Sequence, residues 1–191
     1  MPLEVFDARS DIRNLFITPE IRARVMRFEA GQVSEGHTHD LGHEMFLVVD
    51  GHAEFTIAGQ SAVLGPGQIC VARAGEWHEI RTLPDAPMTL YLSVTPHLEP
   101  THTMWDREGG TRQPHRYGGA TGHMPSEPVE VLLERHLAAA DALAQAAQEF
   151  AAAQRGAKLA EMTASLQSLY ARLQDVENAW NDLAPKLALS A

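Results

Sequence analysis

Between Ile21 and Val94 the chain repeats one device, a short β-branched or aromatic run followed by a turn signal. The runs are IRARVMRF, EMFLVVDG, HAEFTIAG, SAVLG, QICVA, WHEIRTL and MTLYLSV. The punctuation is Asp50-Gly51, Gly59-Gln60, Gly65-Pro66-Gly67, Ala74-Gly75 and Pro84-Asp85-Ala86-Pro87. No segment between them is long enough for a crossover helix, so the strands must pair antiparallel, as a sandwich or a barrel. Strand alternation places Phe28, Phe46, Val48, Phe55, Ile57, Ile80 and Leu90 inside. Cys70, in an apolar run, is expected to be a small core residue.

From Ser126 the periodicity changes. Ser126 can cap a helix, with Pro128 and the acids Glu127 and Glu130 in its first turn. Apolar or seam residues then recur at Val129, Leu132, His136, Ala139, Leu143, Ala146 and Phe150. A second series runs through Leu159, Met162, Leu166, Leu169, Leu173, Val176, Trp180, Leu183 and Leu187. The two are out of phase across Arg155-Gly156, which predicts an αα-hairpin with coiled-coil patterning rather than one long helix. An arm of roughly 28 residues extends about 42 Å, longer than a small barrel is wide. A homodimer that buries the leucine seam is the expected assembly. The domain reading is therefore a β-barrel over 1–95, a loop, lid or linker over 96–125, and a helical hairpin over 126–191.

A formal net charge of −10 argues against nucleic acid or an anionic membrane as partner. The first residues carry no apolar signal core, and no apolar stretch reaches the roughly 20 residues of a membrane span. A single cysteine allows no intramolecular disulfide, so a cytoplasmic location is the simplest expectation.

The chemistry concentrates in GQVSEGHTHDLGHEMFLVVDG, from Gly31 to Gly51. His37 and His39 are two residues apart and leave the same face of an extended strand. Glu44 has the opposite parity, but Asp40-Leu41-Gly42 can turn the chain so that it faces the same point from the next strand. His78 can supply a third imidazole. Three neutral imidazoles and a carboxylate suit one divalent Fe, Mn, Ni, Co or Zn ion, with two octahedral positions left open. His43 and His52 are expected at the surface or behind the ligands, and His136 in the helical seam. The histidines at 97, 102, 115 and 123 have no ligand spacing.

At these residues the chain resembles the cupin superfamily. Gly31, His37, His39, Glu44 and Gly51 fill the first cupin motif, and Gly67, Gly75 and His78 match the second. Arg73 stands at the second motif's usual proline and Thr82 at its usual asparagine. The resemblance implies a double-stranded β-helix, or jelly roll, with His37, His39, Glu44 and His78 as metal ligands. It spans dioxygenases, isomerases, decarboxylases, lyases and non-catalytic binders, so it leaves the reaction open. The leading expectation is a metal-dependent enzyme, dioxygenase-like or of isomerase or lyase type, acting on a small oxygen-rich molecule. Glu44 would double as proton acceptor, and Phe46, Ile80, Arg112, Arg116 and Tyr117 would contact the substrate. The alternative is a non-catalytic module that senses a small molecule while the helices mediate oligomerisation.

Overall fold

The computed structural model describes residues 2–105, 112–114, 125–156 and 159–188. All seven expected runs are strands: β2 (Arg22–Phe28), β4 (His43–Asp50), β5 (Ala53–Ile57), β6 (Gln60–Leu64), β7 (Ile69–Ala72), β8 (His78–Thr82) and β9 (Met88–Thr95). Four shorter strands join them: β1 (Asn14–Ile17), β3 (His37–Thr38), β10 (Thr103–Trp105) and β11 (Arg112–Pro114). They form two antiparallel sheets, ordered β1-β2-β9-β4-β7 and β11-β10-β3-β8-β5-β6. These sheets are the two layers of a cupin-type jelly roll.

The pairing register explains which residues point between the sheets. Glu44, Phe46 and Val48 on β4 face Val94, Leu92 and Leu90 on β9, and Arg24 and Met26 on β2 pair with Leu92 and Leu90. In the other sheet Phe55 pairs with Ile80, and Ile57 with His78. Paired residues share a face, so these sets meet in the middle. Phe28, Phe46, Val48, Phe55, Ile80 and Leu90 are buried in one cluster, with Ile57 and Cys70 half-buried against it. Burial pushes the Cys70 thiol up to about 12, with Glu44 adding to the shift, so it stays a protonated core group.

One boundary differs from the sequence reading. The stretch expected as a loop, lid or linker over 96–125 contributes β10 and β11 to the second sheet, and the compact unit runs Met1–Gly122. The reason is that β3 is only two residues long and needs a partner on each side. Met104 pairs with His37 on one side, and His78 pairs with it on the other. Asp40 fixes this edge by accepting from the hydroxyls of Thr38 (3.0 Å) and Thr103 (2.9 Å).

The second unit, 123–191, holds α1 (Val129–Gly156) and α2 (Leu159–Ala188). They lie antiparallel, with Arg135 paired to Asp182 at 3.1 Å and the His136 ring 5.9 Å from that of Trp180. The α1 seam is buried at Leu132 and Ala146 and half-buried at its other positions. The α2 seam is covered near Leu183 but leaves Leu159, Leu173 and Leu187 exposed. No described helix is long and apolar enough to cross a membrane.

Candidate metal centre

Three loops and strands converge on one point. His37 lies on β3, His39 just beyond it, Glu44 on β4 of the facing sheet, and His78 at the start of β8. One ligand atom from each lies within 4.8 Å of all the others. Glu44 Oε2 is 2.8 Å from His78 Nε2, 3.0 Å from His39 Nε2 and 3.9 Å from His37 Nε2. The His37 and His78 Nε2 atoms are 3.2 Å apart. Glu44, His39 and His78 are buried, and His37 is half-buried.

The far side of each ring decides what the near side can do. His37 Nδ1 donates to Glu35 O at 2.8 Å, His78 Nδ1 to Glu76 O at 2.9 Å, and His39 Nδ1 to Thr101 O. A carbonyl only accepts, so each Nδ1 carries the proton and each neutral ring turns an Nε2 lone pair inward. Three lone pairs then face a carboxylate oxygen, an arrangement of acceptors that repels itself without a cation. Protonating the rings would supply charge, but burial and the neighbouring His78 lower the His37 pKa to about 3. A borderline divalent ion satisfies all four donors at once, and the residues present fit it.

Burial works against the Glu44 carboxylate, and positive charge at the His39 and His78 rings, on a proton or on a shared cation, is what holds the group well below the usual carboxylate range. Its Oε1 faces away from the rings, 3.8 Å from an Arg22 guanidinium nitrogen. Glu44 is therefore placed to ligate through Oε2 alone. The spare oxygen on which a proton-accepting role depends lies beside a cation, which weakens it as a base.

The two motifs are strapped together by backbone bonds. Gly75 N–H donates to His39 O (2.8 Å), and Ala74 N–H to Nδ1 of exposed His43 (3.0 Å). Arg73, at the usual proline position, uses the N–H that proline lacks to bond Glu76 Oε2 at 2.9 Å. That closes the turn leading into His78. His52 is exposed.

A cavity of about 290 Å³ opens beside the ligand atoms. Phe46 and Ile80, expected to contact substrate, line it. Arg116 and Tyr117 lie outside the described residues, and Arg112 is described only as backbone in β11. Three groups were not anticipated. Arg22 and Arg24 line the cavity from β2, and the His102 ring sits 4.9 Å from His37 and 4.8 Å from His39. The parity of Arg22 and Arg24 with Phe28 was a usable signal. His102 had none, because its position depends on a strand too short to show alternation. His97 is buried and, among the described residues, no second metal cluster joins it to His102.

Residues 24–95 match the family model for the cupin domain. The β-barrel is a cupin domain. Solved structures similar in fold include a Klebsiella pneumoniae protein with a double-stranded β-helix domain, at 22% identity, TM-score 0.47, covering 50% of this chain and 91% of that one. KdgF from Halomonas sp. aligns at 25% identity and TM-score 0.40, covering 44% and 76%. The DMSP lyase DddQ from Ruegeria pomeroyi aligns at 27% and 0.42, covering 46% and 44%. No curated protein sequence matches the chain.

Proposed function

We propose that this cupin is a metal-dependent enzyme acting on a small, oxygen-rich organic substrate. The observation that carries the reading is the convergence of three Nε2 lone pairs and Glu44 Oε2, each ring held by an Nδ1–H bond to a backbone carbonyl. Such fixed donors would hold one divalent ion beside the cavity. When bound, the ion supplies a Lewis-acidic centre and, if it is Fe, a site for dioxygen chemistry. Phe46 and Ile80 keep water from the reacting carbons, and His37 and His78 fix the direction from which substrate oxygens approach. A purely structural ion fits less well, because the Phe46 and Leu90 core already closes the barrel without it.

The hairpin's part in this reading is self-association, supported by the exposed seam residues Leu159, Leu173 and Leu187. The function is tested by loading the purified chain separately with Fe, Mn, Ni, Co and Zn. Each form is incubated with hydroxy acids, 2-oxo acids and vicinal diols, in air and without oxygen, and substrate loss is followed by NMR. Turnover by a metal-loaded form that vanishes in His37→Ala is the expected result. Chelates that bind every loaded form without any turnover would leave a binding module in place of an enzyme.

A further inference from the structure

The cavity beside the ligand set sets two arginines against two carboxylates, a balance that a divalent ion would tip to net positive. Arg22 and Arg24 occupy alternate positions on β2, on the same inward face as Met26 and Phe28, and all four line the cavity. Arg22 is committed to Glu44 Oε1. Arg24 makes no such ion pair among the described residues, and its Nε is buried there with no hydrogen-bond partner. Burial lowers its pKa, and only the Glu44 charge opposes that. The Arg24 side chain is half-buried, and a buried N–H left without an acceptor is costly, so this Nε implies a partner that comes and goes. The carboxylates of the cavity wall do not serve. Glu44 belongs to the ligand set, and Glu35 is exposed. Two arginines offset those two carboxylates, so a divalent ion brings charge that nothing on the wall neutralises.

Building on the metal-chelate reading above, we propose that the ligand is a small diacid. One end is an α-hydroxy- or α-oxo-carboxylate on the metal, and the other is a carboxylate on Arg24. Arginine suits this because its planar fork takes a carboxylate in two parallel hydrogen bonds. Arg22 and Arg24 are roughly 6.6 Å apart along the strand, and Arg22 is the one beside Glu44. The second anionic site is therefore set back from the ligands by the span of about four or five carbons. Phe46 and Leu92, level with Arg24 across the sheet, offer an apolar wall for the linking methylenes.

The test uses the full chain loaded with Co(II) and matched acids that share a chelating head. Malate is compared with 2-hydroxybutyrate, and 2-hydroxyglutarate with 2-hydroxypentanoate, so that a terminal methyl replaces the distal carboxylate. The cobalt spectrum reads the head group and calorimetry reads affinity. At least one diacid should bind about tenfold or more tightly than its methyl-ended counterpart. In Arg24→Met that preference should fall below about twofold, with cobalt content unchanged, and Arg24→Lys should keep part of it. Equal affinities within both wild-type pairs, or a preference that survives in Arg24→Met, overturns the diacid. In that case a spectral shift from the methyl-ended acids leaves the metal-chelate reading standing. If no acid perturbs the cobalt spectrum, the metal-chelate reading fails and takes the diacid with it. Should Arg24→Met not fold, the wild-type pairs and Arg24→Lys still decide.

Discussion

Gly36 precedes His37, and Trp77 precedes His78, so a clash between these two neighbours reaches two ligands at once. A Cβ built on Gly36 lies 2.6 Å from Trp77 Cε2 and 2.7 Å from Nε1, and closer still to Cζ2. Ordinary contact begins near 3.4 Å, so Gly36→Ala requires about 1.1 Å of retreat from the nearest ring atom. The Trp77 backbone is not free to give, because its carbonyl accepts from Ala58 N–H at 2.9 Å. Either β3 moves away from β8 or the indole rotates, and the His37–His78 register joins both ligands to that movement. Metal–ligand distances tolerate only about 0.2 Å. The substitution should therefore cost about 1–3 kcal/mol of overpacking and weaken metal binding roughly 10–100-fold.

Competition against a chelator of known affinity measures the metal term, and urea unfolding of the metal-free protein measures the packing term. Gly67→Ala is the control. Its φ of 82° strains any side chain, but nothing lies within 4 Å of the added carbon, and its N–H bonds Val48 O near the end of β4 away from Glu44. It should destabilise the barrel by about 1 kcal/mol and leave metal affinity alone. If Gly36→Ala binds metal within twofold of wild type, the clash is relieved without moving the ligands, and the argument fails.

Metal at about 100 times its Kd should raise unfolding free energy by about 2.7 kcal/mol; His39→Ala should lose that increment and exposed His52→Ala should keep it. An increment unchanged in His39→Ala would contradict the ligand set. Burial holds His97 near a pKa of about 3, against 6.5 for the free side chain. Between those values the unfolded chain binds a proton that the fold excludes. The stability present above about pH 6.5 is thus lost as pH falls toward 3, by about 1.4 kcal/mol per unit for this group. Urea midpoints of the metal-free protein at pH 7 and 5 should show a slope that is shallower in His97→Asn; equal slopes refute it. Sedimentation at micromolar concentration should show a dimer that Leu173→Glu dissociates, and a monomeric wild type would refute the assembly.

The barrel was legible because its core strands are long enough for period-two alternation to be counted. The cluster of His37, His39, Glu44 and His78 was legible because three of its members fall within eight residues and the fourth follows a glycine turn. What escaped was whatever depends on very short pairing. β3 and β10 have two and three residues, and no pattern can be read in either. Yet their pairing brings Thr101 O to His39 Nδ1 and sets His102 beside two ligands. The helical seam was legible in register but not in coverage, since spacing cannot tell a buried leucine from Leu159, which is 78% exposed.

Arg22 and Arg24 show a different kind of miss. Their parity with Phe28 puts them inside, but an interior arginine conflicts with the ordinary cost of burying charge, so the pattern invites dismissal as an edge strand facing water. The structure resolves the conflict by placing both at the one end of the core where charge is already present. Glu44 compensates Arg22 on one side and meets the imidazole cluster on the other. Farther along the same strand face, Met26 and Phe28 return to apolar packing. A strand that changes from arginine to methionine and phenylalanine on one face thus marks the border between core and site. Removing that border with Arg24→Met extends the apolar wall and should not unfold the barrel, whereas Phe28→Arg would place a charge with no counter-ion among Phe55, Leu64 and Met88 and should unfold it.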